Sequence, residues 1–287
     1  MLSKLMKHEL LATSRVVLLF YAAVAALAVL SNLSIRFMDF SDSNLLAAFG
    51  ALVSLAYGFS IVAVLVATSL LMLYRFYRNL LKDEGYLMHT LPASVHAQIW
   101  SKLLIALLWD AATVLLIVLL LSLGGLFQSG TRLGELFEAF PAWGDIRRWL
   151  LAEGINPGQL GLLLTELTAL GLVSCLVALL HFYAAMSLGH MFSRNKGFLS
   201  VVFFLVISFA FRLLSAVAGY VLDVTGLADT ASSEFLWGGA MLDFSTATGT
   251  MDFTLRVMCV LLVFQIIKGA LLYAVTALSL ERGLNLA

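Results

Sequence analysis

The chain has 287 residues, 62% hydrophobic and only 12% charged, with a mean hydropathy of +1.00, values that a soluble domain of this size rarely shows. Its 17 basic and 17 acidic residues give a formal net charge of +0, which excludes bulk electrostatic attraction to nucleic acid and leaves the placement of the charges as the informative quantity. Charge-free runs recur from end to end, with no polar stretch long enough to fold by itself. Residues 1–287 therefore read as a single all-α membrane domain embedded in the lipid bilayer.

In chain order, MLSKLMKHELL places Leu2, Leu5, Met6, Leu10 and Leu11 near one helical face and leaves Lys4, Lys7 and His8 to the headgroups. Residues 1–13 are expected as an interfacial helix on the inner surface. VVLLFYAAVAALAVLSNLSI follows without a charge over 16–35, long enough to cross ~30 Å of hydrocarbon at ~1.5 Å per residue. The run continues unbroken through the Ala-Leu-Ala pattern at 26–28, which favours a retained span over a cleaved signal peptide. Further spans are expected at 48–74, at 103–126 around Asp110, at 160–188, at 198–222 across Arg212 and at 256–280 across Lys268. Six spans put both termini on one face.

Lys and Arg divide unevenly between the two faces. Lys4, Lys7, Arg15, Arg75, Arg78, Lys82, Lys102, Arg194, Lys196 and Arg282 fall on the side of the termini, against Arg36, Arg132, Arg147, Arg148 and Arg256 on the other. Basic residues resist translocation, so both termini are expected in the cytoplasm. On the outer side, turn signals at Pro141, Gly144 and Pro157-Gly158 surround a short amphipathic stretch with Trp143 and Trp149, expected as an interfacial helix within 140–161. The loop 223–252 contains SSEFLWGGAMLDF, too short to span; it either dips back as a re-entrant segment or caps the bundle.

Asp110, Glu166, Arg212 and Lys268 lie inside the apolar runs. A charge at the bilayer centre costs roughly 2.5–3.5 kcal/mol on insertion scales, so each should face protein or water. Helical spacing supports this: Ser208 and Ser215 flank Arg212 at i−4 and i+3, Gln265 precedes Lys268 at i−3, and Thr113 follows Asp110 at i+3. These residues are candidates for a translocation pathway; the blander reading is polar contacts that hold the bundle together.

Catalytic chemistry is not legible. HExxH and GxSxG are absent, and the histidines lack the i, i+4 spacing of helical zinc ligands. Cys175 and Cys259 both sit in apolar runs and read as small buried residues. Neither a catalytic residue nor a metal site is expected. No Gly-Lys dipeptide occurs, so the phosphate-binding GxxxxGK[ST] loop is missing and any ATP-driven step needs another polypeptide.

Between the second and third runs lies RFYRNLLKDEGYLMHTLPASVHAQIWSK, residues 75–102. Asp83-Glu84-Gly85 reads as a break after a helical stretch, and Pro92 suits the first turn of the next helix. This segment, with the N-terminal KLMKHELLATSR, resembles the permease subunits of bacterial ATP-binding-cassette (ABC) exporters of the second type and their DEGYL..TLP segment. The likeness covers the layout of the whole chain but is motif-level over only about forty residues, and Met88-His89 stand where the family has Thr-Phe. The resemblance implies a coupling helix between spans 2 and 3, in which Asp83, Glu84, Gly85, Tyr86, Leu87, Thr90, Leu91 and Pro92 dock on a cytosolic ABC ATPase. It further implies a second permease, identical or related, ATP and Mg held by the partner ATPase rather than by this chain, and residence in the bacterial plasma membrane.

The function expected on these grounds is the transmembrane subunit of an ATP-driven exporter, forming the translocation pathway and performing no covalent chemistry. Two readings compete. One is a proton-coupled secondary transporter using Asp110, Glu166, Arg212 and Lys268; the other is a non-transporting membrane receptor or scaffold that binds a partner through the loop 126–160.

Overall fold

The structure, a computed structural model, describes residues 2–39, 44–81, 94–129, 157–192, 195–224 and 247–282, with 148, 151 and 152. Six long helices make up these residues: α1 (Leu2–Asp39), α2 (Asn44–Phe76, continued by a π turn over Tyr77–Leu81), α3 (Val95–Ser129), α4 (Pro157–Gly189), α5 (Lys196–Val224) and α6 (Ala247–Arg282). No strand occurs among the described residues. All six helices are long and apolar enough to cross a membrane, and the chain is a multi-pass membrane protein. The expected coupling residues Asp83 to Pro92 and most of the 126–160 and 223–252 loops lie outside the described residues.

Each predicted span falls within one helix, but the helices run further. Leu2–Asp39 contains neither glycine nor proline, so nothing interrupts its hydrogen-bond ladder. The expected interfacial segment 1–13 and the span 16–35 are consequently one rod of 38 residues, about 57 Å long against about 30 Å of hydrocarbon. Local signals set other ends. Ser94 caps α3, its Oγ accepting from Ala97 N at 3.3 Å, and α4 opens on Pro157, where a missing N–H costs nothing.

The helices form two compact units, one built on α1, α2 and α3 and the other on α4, α5 and α6. In the first, α1 packs along both α2 and α3. Val24, Val64 and Ile117, one from each helix, form its apolar centre, with Phe20, Tyr21, Tyr57, Ile61 and Leu120 packed around them.

In the second unit α4 is the shared element: α6 and α5 each pack along it. Two glycines set the approach. A Cβ on Gly269 would lie 3.0 Å from Val177 Cγ2, so α6 and α4 meet closely there. A Cβ on Gly189 would lie 2.6 Å from Ser200 N and 2.8 Å from Ser200 Cα, atoms of the backbone that cannot step aside. The α4–α5 connection thus turns back at a position only glycine fits. It re-enters helix through Asn195, whose φ of 54° is left-handed, a conformation asparagine tolerates better than most residues.

Candidate functional site

α5 and α6 lean on α4 without packing appreciably on each other. Between them opens a cleft of about 460 Å³, a volume within the range of small-ligand sites. Its floor is α4, through Ser174, Ala178 and His181; one wall is α5, through Ser208, Phe211, Arg212 and Ser215; the other is α6, through Phe264, Gln265 and Lys268. All lie in one compact unit.

The polar stripes expected on α5 and α6 are the two walls. Ser208, Arg212 and Ser215 recur at i, i+4 and i+7, so they share a face of α5, and Gln265 and Lys268 share a face of α6. Lys268 Nζ reaches across to α5 and sits 5.2 Å from the centroid of the Phe211 ring, a cation–π contact. Among the described residues neither Arg212 nor Lys268 is in an ion pair, and no acid lines the cleft. Two cations of one sign therefore border a common space, Arg212 exposed and Lys268 half-buried.

The floor orients the remaining groups. His181 Nε2 lies 3.2 Å from Phe204 O and 3.1 Å from Ser208 Oγ. A carbonyl only accepts, so the bond to Phe204 O requires the proton on Nε2. Ser208 also donates to Phe204 O at 2.8 Å, so one carbonyl ties both side chains, and Phe204 stacks on Phe182 with ring centroids 4.7 Å apart. Gln265 Nε2 donates to Ser174 Oγ at 3.4 Å, while its Oε1 is buried and makes no hydrogen bond. An acceptor in that state destabilises the site by about 1–3 kcal/mol until a donor reaches it.

The other intramembrane acids lie elsewhere. Glu166 is on α4, two turns before Ser174, and does not line the cleft; its Oε2 is buried without a hydrogen bond. Asp110 belongs to the first unit, where Ser69 Oγ donates to its Oδ1 at 3.2 Å. It forms part of a polar seam. Tyr21 OH donates to Trp109 O at 3.1 Å and lies 2.8 Å from Thr113 Oγ1, which reaches Thr68 Oγ1 at 3.5 Å. Trp109 Nε1 donates to Thr13 Oγ1 at 2.8 Å.

That seam ends in a charge cluster that sequence reasoning missed. Glu9 Oε1 accepts from Lys102 Nζ at 2.6 Å and from Asn79 Nδ2 at 3.0 Å, while Arg75 Nε lies 3.2 Å from Glu9 Oε2 as an ion contact without hydrogen-bond alignment. The Lys102 side chain is only 4% exposed, and a buried ammonium persists only with a carboxylate close by. One acid thereby ties together the start of α1, the end of α2 and the start of α3. The only sequence signal for it was an isolated acid among the bases of MLSKLMKHELL. His181 and Ser174 in the cleft were also missed, although their i, i+7 spacing on α4 is a third stripe of the same kind.

The cleft offers an anion two cations, Arg212 and Lys268, and its Ser208–His181 pair has the imidazole proton directed to Phe204 O. No protein-family model, no curated protein and no solved structure matches the chain.

Proposed function

We propose that this protein is the transmembrane subunit of an ATP-driven exporter in the bacterial plasma membrane. Its termini are cytoplasmic, it works beside a second copy or a related permease, and it is coupled to cytosolic ATPase subunits through the segment around Asp83, Glu84, Gly85 and Tyr86. The observation that carries the reading is the charged, open cleft between α5 and α6 in an otherwise apolar helical unit. A polar cleft deep in the membrane is costly unless something passes through or rests in it. A bundle held only by packing would fill it with Leu and Phe.

Three further features support the proposal. All six helices have membrane-crossing length and apolarity. The segment 75–102 resembles the ATPase-docking loop of second-type ABC exporters. The chain carries no phosphate-binding loop of its own, so the energy for transport enters from a partner.

The test is recovery of the tagged full chain from its native membrane in mild detergent, with identification of what accompanies it. An ATPase bearing a phosphate-binding loop is expected in stoichiometric amounts and is expected to be lost in Glu84→Arg or Tyr86→Ala. Recovery of the chain alone, with flux in vesicles indifferent to ATP, would overturn the reading. A proton-coupled mechanism is favoured by one observation, the buried Glu166 oxygen without a hydrogen bond. It predicts flux that follows the pH gradient and vanishes in Glu166→Gln.

A further inference from the structure

We infer that the cleft between α5 and α6 binds the headgroup of an anionic amphiphile, a phosphate diester carrying free hydroxyls on an acyl-chain body. This deepens the transport reading and rests on it, because it names the class of molecule carried.

Charge comes first. Arg212 and Lys268 stand on opposite walls, no acid lines the cleft, and among the described residues neither cation is in an ion pair. The guanidinium fork matches two oxygens of one phosphate, and the ammonium supplies a point charge from the other side. An uncharged or cationic ligand would leave both cations without a counter-charge in low dielectric.

Hydrogen bonding narrows the class. Gln265 lines the cleft while its Oε1 is buried without a hydrogen bond; a turn of the amide toward the cleft would bring this acceptor to a donor on the occupant. A dianionic or diester phosphate offers acceptors alone. A headgroup that adds a glycerol or sugar hydroxyl to the phosphate satisfies the cations and the amide together. The hydroxyls of Ser174 and Ser215 offer further polar contacts along the same cleft.

Apolar surface and depth complete the argument. Phe211 and Phe264 line the walls beside the cations, Phe264 being 41% exposed, and α5 and α6 carry further exposed apolar side chains in Leu205, Phe209 and Leu261. About 460 Å³ accommodates a headgroup and the first methylenes, while acyl chains lie outside along that surface. Arg212 is about 24 Å along α5 from Lys196 and about 18 Å from Val224, so the site lies near the middle of α5.

The experiment uses the full chain in nanodiscs of zwitterionic lipid doped with a photoactivatable phosphatidylglycerol or, separately, a photoactivatable phosphatidylcholine, with cross-links mapped by peptide mass spectrometry. The phosphatidylglycerol probe is expected to label the cleft-lining peptides of α4, α5 and α6, and the choline probe only the exposed faces. Replacing both cations, Arg212→Gln with Lys268→Gln, should lower the specific label at least about tenfold, the loss expected when charge-assisted hydrogen bonds are removed. Lys4→Gln with Lys7→Gln, which removes the same charge elsewhere, should leave it unchanged, and the charge-retaining pair Arg212→Lys with Lys268→Arg should preserve most of it.

Equal labelling by the two probes on the unaltered protein would overturn the inference without recourse to any variant. So would millimolar inorganic phosphate that strips the label, since the ligand would then be a free anion and the acyl body irrelevant. Specific labelling in a preparation that never recruits an ATPase would overturn the coupling reading and leave the site standing. Absence of specific labelling beside a bound ATPase would do the reverse.

Discussion

Replacing Glu9 with Gln is expected to loosen the first helical unit far more than its single charge suggests. Glu9 accepts from Lys102 at 2.6 Å and contacts Arg75 at 3.2 Å, with side-chain exposures of 11% for Glu9, 4% for Lys102 and 23% for Arg75. The amide keeps the shape and can still accept from Asn79, but Lys102 then holds its ammonium where Glu9 no longer answers it. Removing one partner of a buried ion pair costs about 3–5 kcal/mol; Arg75, more exposed, adds at most about 1 kcal/mol. We expect a loss of about 3 kcal/mol for Glu9→Gln, and a smaller loss for Lys102→Met, because Arg75 and Asn79 still face the carboxylate. The double variant should lose less than the sum by about 2 kcal/mol, because neither charge is then left behind. The assay is reversible unfolding in mixed micelles, followed by tryptophan fluorescence as the denaturing detergent fraction rises. Additivity within about 0.5 kcal/mol, or a shift below that size for Glu9→Gln, would show that the cluster does not hold α1, α2 and α3 together.

Two further variants probe smaller features. Thr13→Val removes the acceptor of the Trp109 indole N–H at 2.8 Å and should destabilise the same unit by about 1 kcal/mol, in line with interhelical polar contacts in membranes; Thr13→Ser should restore the unfolding midpoint, and failure to do so would assign the loss to packing. Gly189→Ala drives a Cβ against the Ser200 backbone, and overpacking of this kind costs about 1–3 kcal/mol. A lower thermal midpoint in detergent is expected for Gly189→Ala but not for Gly171→Ala, where a Cβ meets nothing within 4 Å.

The cluster at Glu9 and the cleft at Arg212 answer the same problem in opposite ways. Lys102 is neutralised within its own unit, at fixed geometry, and behaves as a fastener. Arg212 and Lys268 are left without such a neighbour among the described residues, and the cation–π contact with Phe211 compensates only a fraction of one charge. On the reading proposed above, that difference marks the cleft as the place where an anionic occupant supplies the missing counter-charge.

The six helices and their approximate spans were legible in the chain because length and hydropathy are local properties, and no backbone can cross hydrocarbon unpaired. The polar stripes of Arg212 with Ser208 and Ser215, and of Lys268 with Gln265, were legible for the same reason: the helical period alone puts them on one face. The chain gave no break between the amphipathic segment 1–13 and the apolar run after it, and with no glycine or proline the backbone carries both as the single helix α1. What only the tertiary structure decided is which faces meet. Helices that are apolar all round look alike to lipid and to protein, so their sequences carry little information about partners. Nothing local joins Glu9 to Lys102 across 93 positions, or His181 to Ser208 across 27. The cleft itself exists because α5 and α6 both chose α4 over each other, a choice set by close contacts such as that of Gly269 with Val177, and that choice turned separate stripes into one cationic site.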